Sequence, residues 1–173
     1  TTTTTSIGST SSIYLINLYG GGSTGSSNTT YNNWFVGSTI TSLNTLNNIF
    51  TTTGQTSSIS MSFSNLTSGG FFDNGGGYGA GLHPADVART GIYTTNESWS
   101  ISGSDINIFG LSSSLYYTLD IFASRSSSTQ SSIYRIIGSS ATDSNVLLVG
   151  NNTTASVSVI SQPNSSGVIQ IRV

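Results

Sequence analysis

Alternation of apolar and polar residues with a period of two constrains the fold of this chain more than any other feature. In the segment 57–65, Ile59, Met61 and Phe63 alternate with serines. In the segment 12–19, both sets of alternate positions contain apolar residues. Successive side chains of a strand point to opposite faces, so these patterns predict a half-buried antiparallel strand and a strand covered on both faces. No window carries a helical stripe, and β-branched and aromatic residues fill the apolar positions. The chain is therefore predicted to be all-β.

The same alternation returns through the second half of the chain. We expect the segments 114–125 and 131–138 to pair as a hairpin, and the last strand to turn Ile169, Ile171 and Val173 inward. Pro, Asn and Gly lie between the strands, where each favours a turn for backbone reasons. About nine or ten short strands separated by such turns are typical of an antiparallel β-sandwich of jelly-roll type.

Length and composition indicate one domain. The 173 residues are enough to bury a core without disulfides, and the chain has no cysteine. The first eleven residues are of low complexity and begin with five threonines, so we interpret 1–11 as an N-terminal arm or linker. The single β-sandwich domain is then expected over 12–173.

The charge content excludes two classes of partner. The chain has four arginines, no lysine and a formal net charge of -2. Scattered cations on an acidic chain cannot neutralise a row of phosphates, so neither nucleic acid nor an anionic membrane surface is expected as a partner. Membrane insertion is not expected either, because no apolar run approaches the roughly 20 residues of a helical span. Hydroxyl and amide groups must cover most of the surface.

The C-terminal half has a recognisable order of strands and turns, and segments of the N-terminal half add further elements to it. A Gly110–Leu111 step ends one strand, the strand 117–125 follows, and 167–173 closes the chain. This layout resembles the galactose-binding-like, carbohydrate-binding β-sandwich modules of bacterial surface, secreted and phage fibre proteins, and the segments 31–37 and 83–93 are similar to further elements of such modules. The resemblance implies a non-catalytic carbohydrate-binding or adhesion module. Its partner would be a glycan or a cell-surface polysaccharide.

A structural virion protein is the alternative interpretation. A capsid decoration or fibre domain would act through self-association or within a larger surface or virion assembly. A Ser- and Thr-rich, Lys-free and Cys-free composition with an N-terminal arm fits this class equally well. Both interpretations predict an extracellular location, on a cell surface or a virion surface.

Enzymatic activity is not expected. His83 is the only histidine, and no Gly-x-Ser-x-Gly turn accompanies it as a serine triad would require. No two of the six carboxylates are singled out as a glycosidase pair, and one histidine without cysteine does not supply the three ligands of a catalytic zinc. The candidate cofactor is a structural Ca²⁺, for which Asp73, followed by Asn74 and glycines, is the candidate ligand.

Carbohydrate binding requires flat aromatic rings beside a few polar groups. The segment 75–93 gathers several rare residue types and is predicted to be a long, Gly-rich loop between strands. For Trp34, core packing and ligand stacking both stay open, whereas Asp86 and Arg89 are expected to pair with each other and to pin the loop. The candidate binding residues are Tyr31, Trp34, Tyr78, His83, Asp86 and Arg89, with Arg125 and Tyr134 as a second group.

Overall fold

A computed structural model shows an all-β chain with almost no helix, as predicted. It describes residues 11–20, 24–37, 41–64, 69–72, 81–88, 91–94, 105–126 and 129–172. The strands are β1 (Leu15–Tyr19), β2 (Tyr31–Phe35), β3 (Thr45–Leu46), β4 (Ser60–Ser64), β5 (Gly69–Phe72), β6 (Gly91–Thr94), β7 (Asp105–Phe109), β8 (Tyr117–Ile121), β9 (Ser131–Ser132), β10 (Arg135–Ile137), β11 (Ala141–Asp143), β12 (Leu147–Leu148), β13 (Val157–Ser161) and β14 (Ile169–Arg172). One helical turn, α1 (Ala85–Ala88), lies between β5 and β6.

A six-stranded antiparallel sheet forms one layer. Its strand order is β11-β10-β14-β7-β4-β3. The alternation predicted for β4 is confirmed, because Met61 and Phe63 are buried. Ile169 and Ile171 of β14 also turn inward as predicted, while Val173 lies outside the described residues. The inward side chains of this sheet form one wall of the core.

Three strand pairs, β1–β2, β8–β13 and β9–β12, contribute to the opposite side of the core. Val157 and Val159 of β13 pack in one apolar cluster with Ile136 and Ile169 of the six-stranded sheet. Trp34 and its neighbours form a second cluster around β2 and β4. The two clusters are continuous, since Ile59, Ile106 and Ile108 pack against both.

The predicted hairpin between 114–125 and 131–138 is wrong. β8 pairs instead with β13, and β9 pairs with β12. The segment 149–151 lies between the ends of the expected partners: the carbonyl of Val149 accepts from the Arg125 amide, and the Val149 amide donates to the Gln130 carbonyl. Strand alternation was therefore visible in the sequence, but the partner of each strand was not.

The described strands form one six-stranded and four two-stranded sheets, rather than a clear jelly roll of nine or ten strands. One pair even departs from the antiparallel rule, because β1 and β2 run parallel with Leu15 opposite Tyr31. Parallel neighbours normally need a crossover of about a dozen residues or more, and here residues 20–30 suffice. Every residue of β1 is buried or half-buried, which agrees with the prediction of cover on both faces.

Candidate functional site

Trp34 lies in the core, which corrects its place among the ligand-binding candidates. Its side chain is 1% exposed and stacks on Phe63 with 4.5 Å between ring centroids. The alternation of β2 turns Trp34 inward, where Val36 and Ile49 are equally well buried. Of the two roles left open by the sequence, the structure gives this ring the packing role.

Tyr31 and His83 lie together on the outward side of β2. The Tyr31 hydroxyl is 2.9 Å from His83 Nδ1, and the histidine ring meets Phe122 edge-on at 4.8 Å. Burial lowers the pKa of His83 and, with a smaller effect from the Asp86 charge, raises the pKa of Tyr31. Both shifts favour neutral rings, and the tautomer of His83 sets which of the two groups donates in their hydrogen bond. His83 thus links Tyr31 of β2 to Phe122, which follows β8.

Asp86 lies in the single turn of α1 and attaches it to the connection between β1 and β2. Its Oδ2 accepts from the backbone N–H of Ser27 at 2.9 Å and from the Ser26 hydroxyl at 3.0 Å. The Ser27 amide is the main reason that the pKa of Asp86 is lowered. Asp86 therefore pins its loop as expected, but through serines, while the expected partner Arg89 lies outside the described residues.

Asn33 holds the other side of this attachment. Its Oδ1 accepts from the Ser26 amide at 2.8 Å and its Nδ2 donates to the Ser26 carbonyl at 2.9 Å. Asn17, opposite Asn33 in the parallel pair, donates to the same Oδ1 at 2.8 Å. A Cβ on Gly25 would lie 3.0 Å from the Asn33 side chain, so the close approach favours glycine there. A row of amide and hydroxyl groups thus joins the sheet to Asp86.

We call the segments 24–28 and 81–88 together the clasp. At its far end, the Leu82 amide donates to the Thr153 carbonyl at 2.7 Å. A Cβ on Gly81 would lie 1.8 Å from that carbonyl oxygen, so a larger residue at this position would force the contact apart. The clasp therefore runs from the outward side of β1–β2 to the loop that precedes β13.

The other sequence candidates do not join this group within the described chain. Tyr134 belongs to the apolar core, where burial raises its pKa to about 12. The Arg125 backbone bonds to residues 149 and 151. Tyr78 and the calcium candidate Asp73 lie outside the described residues, as Arg89 does. Tyr31, His83 and Asp86 are the candidates that the structure brings together.

Two ion pairs lie on the outward side of the six-stranded sheet. Arg172 holds Asp105 through two nitrogens at 2.8 and 3.0 Å, and Arg135 holds Asp143 at 2.7 and 2.8 Å. The two arginines are neighbours across β10 and β14. The hydrogen bond from Arg135 is the largest cause of the lowered pKa of Asp143. These bidentate contacts use both carboxylates and tie four strands together.

The outward side of β8–β13 is open. Tyr116, which directly precedes β8, is 72% exposed, and Ile160 of β13 is 64% exposed. Thr118 lies opposite Ile160, and Asp120 lies opposite Ser158, whose hydroxyl donates to the Asp120 carboxylate. We call these five residues the open face. Sequence reasoning passed over them as a site, although the alternation of 114–125 already separates Tyr116, Thr118 and Asp120 from the apolar side.

Comparisons with known proteins add no further candidate. No family model, curated protein or solved structure matches the chain. Within the described ranges, no group of three or more His, Asp or Glu side chains could hold a metal ion. The same ranges include no helix long and apolar enough to cross a membrane.

Proposed function

We propose that this chain is a non-catalytic carbohydrate-binding or adhesion module of an extracellular bacterial surface or secreted protein, and that the open face binds the glycan. The proposal takes the two sides of the core as the layers of a β-sandwich of the jelly-roll type. The observation that carries it is the exposed ring of Tyr116 on the same side of β8 as the exposed hydroxyl of Thr118 and the exposed carboxylate of Asp120.

The chemistry of this face matches what sugar recognition requires. An aromatic ring offers a flat apolar surface to the C–H groups of a pyranose, and hydroxyl and carboxylate groups exchange hydrogen bonds with its O–H groups. Asp120 is already oriented by Ser158 across the two strands. Groups held on strands lose little freedom when a ligand binds, which favours affinity.

The clasp supports the choice of the open face. Tyr31 and His83 contact each other, and Asp86 accepts a hydrogen bond from the Ser26 hydroxyl. The shifted pKa values of these residues follow from burial and serine hydrogen bonds. Breaking those contacts to bind a ligand would cost the stability that they provide. The groups of the open face are exposed without any such rearrangement.

Glycan binding tests the proposal directly. The protein is screened on a glycan array, and the affinity for the best neutral polysaccharide is measured by calorimetry. We expect Tyr116→Ala to weaken binding about tenfold or more, since stacking on the ring is lost. Phe35→Ala is the matched control, because Phe35 is also an exposed aromatic, at 55%, but lies on β2.

Two outcomes would contradict the proposal. If no glycan binds the unmodified protein, carbohydrate recognition is excluded as the function. If Phe35→Ala weakens binding as much as Tyr116→Ala does, binding does not take place on the open face.

One observation favours a second function, that of a structural virion component acting through assembly. Leu148 of β12 is 71% exposed, and Val146, directly before β12, and Ile133, directly after β9, are also exposed. Exposed aliphatic groups of this kind are common at protein–protein interfaces. A stable oligomer in light scattering that dissociates with Leu148→Asp, but not with Leu43→Asp, would support this function. Leu43 is a matched control because it is also highly exposed but precedes β3.

A further inference from the structure

We propose that the open face selects neutral glycan chains over anionic ones, and that Asp120 is the residue that sets this preference. The inference rests on the proposed function and specifies the class of ligand. It is based on the position of the Asp120 carboxylate in the open face and on the hydrogen bond that this carboxylate accepts from Ser158.

Asp120 is exposed near the C-terminal end of β8, and one of its oxygens, Oδ1, accepts a hydrogen bond from the Ser158 hydroxyl. Within the described part of the chain, Oδ2 has no hydrogen-bond partner and can accept from a ligand. A carboxylate accepts hydrogen bonds and cannot donate them, so it suits the O–H groups of a neutral sugar. Tyr116 lies on the same side, four residues earlier along the chain, and would hold another ring of the same glycan chain.

The charge of Asp120 works against an anionic ligand at the same place. A carboxylate or sulfate group a few Å away would be repelled, which in water corresponds to about fivefold weaker binding. Arg135 and Arg172 do not offset this charge, because they are held by Asp143 and Asp105 on the other layer. The same face therefore favours hydroxyl-rich ligands and disfavours uronate-rich or sulfated ones.

The test compares one polysaccharide with and without charge. The neutral polysaccharide that binds best is chemically sulfated, and both forms are titrated into the protein at low salt and at about 1 M salt, where the Debye length falls to about 3 Å. We expect the sulfated form to bind at least about fivefold more weakly at low salt, and the difference to shrink at high salt.

Variants assign the effect to Asp120. Asp120→Asn removes the charge and replaces one acceptor oxygen by a donor, so it is expected to weaken binding of the neutral chain and to bring the affinities for the neutral and sulfated forms to the same value. Asp120→Glu, which keeps the charge, is expected to retain the discrimination. Asp143→Asn is the matched control, because it changes the net charge equally on the other layer. Thermal melts of each variant verify that the fold is intact.

Several results would overturn the inference. If the unmodified protein binds the sulfated form as tightly as the neutral form, the preference does not exist, although glycan binding stands. If Asp143→Asn abolishes the discrimination as Asp120→Asn does, net charge and not Asp120 is responsible. If no polysaccharide binds at all, the proposed function fails, and the inference fails with it.

Discussion

The outward sides of two strand pairs, β1–β2 and β8–β13, differ in what covers them. On β1–β2, the clasp lies over the strands and engages Tyr31 through His83 and Asn33 through Ser26. On β8–β13, Tyr116 and Asp120 stay exposed. His83 and Asp86, which the sequence singles out, thus attach the clasp, whereas Tyr116 and Asp120, which it does not single out, stay exposed.

The physical reason lies in the composition. A chain of Ser, Thr, Asn and Gly has many weak hydrogen-bonding groups and few charged ones. The segment 81–88 is too short for a core of its own, so it needs strong attachments at a few points. A carboxylate that accepts several N–H and O–H groups forms stronger hydrogen bonds than neutral groups do, and Asp86 provides such a point.

The largest expected effect separates two aromatic residues of these pairs. Trp34→Ala should lower the free energy of unfolding by about 3–5 kcal/mol, because it leaves a cavity against Phe63. Tyr116→Ala should change it by less than about 0.5 kcal/mol, because the ring is exposed. Urea unfolding followed by circular dichroism measures both.

Trp34→Phe is the control for this pair, since it keeps a ring on Phe63 and should lose less stability than the alanine variant does. A loss below about 1 kcal/mol for Trp34→Ala would contradict its place in the core.

The second-largest expected effect compares the same substitution, aspartate to alanine, in the clasp and on the open face. Asp86→Ala should destabilise the protein by about 1 kcal/mol, because the Ser27 amide loses its acceptor at a partly exposed site. Asp120→Ala should cost less than about 0.5 kcal/mol, since Ser158 is exposed and can bond to water. Hydrogen exchange at Ser27 should accelerate in the first variant alone, and equal exchange in both would show that Asp86 does not hold the connection.

How far the sequence predicts this molecule depends on whether a feature is local. The strands β1, β4 and β14 follow from alternation, which neighbouring residues determine. The pairing of β8 with β13 depends on residues about 40 positions apart and on the insertion of 149–151, so no local pattern contains it.

The candidate site divides in the same way. His83 and Asp86 are predicted as site residues because their residue types are rare in the sequence, and Asp86 is predicted to pin its loop. The serines that donate hydrogen bonds to Asp86 cannot be predicted, because they are indistinguishable from dozens of other serines in the chain. Trp34 was undecided because its flank looked like a loop, whereas in the structure it alternates within β2. Tyr116 could have been found, since the alternation of β8 places it with Thr118 on the polar side.

A smaller effect distinguishes the clasp by its response to acid. The pKa of His83 is lowered in the folded protein, so its contribution to stability is complete above pH 6.5, the ordinary value, and is lost as pH falls through the lowered pKa. The pKa of Asp86 is also lowered, so its contribution holds above pH 3.8 and is lost as pH falls through its own folded value. Stability should therefore decline in two steps on acidification.

Thermal melts between pH 3 and pH 8 measure these steps. His83→Gln should remove the upper step and Asp86→Asn should reduce the lower one, to which Asp143 also contributes because Arg135 lowers its pKa, while Tyr116→Ala should leave both unchanged. An upper step that survives His83→Gln would assign it to another group and would remove the contrast between the two faces.

The smallest expected effect tests how the open face is organised. Ser158→Ala removes the hydroxyl that orients Asp120, but Ser158 is exposed, so the free energy of unfolding should change by less than about 0.5 kcal/mol. Glycan affinity should fall about twofold to threefold, because Asp120 then has more rotamer freedom to lose when the ligand binds. Ser62→Ala, on β4 of the other layer, is the matched control and should leave affinity unchanged. Equal affinity in both variants would mean that Asp120 acts without Ser158, and that the open face, unlike the clasp, does not depend on hydrogen bonds between its own residues.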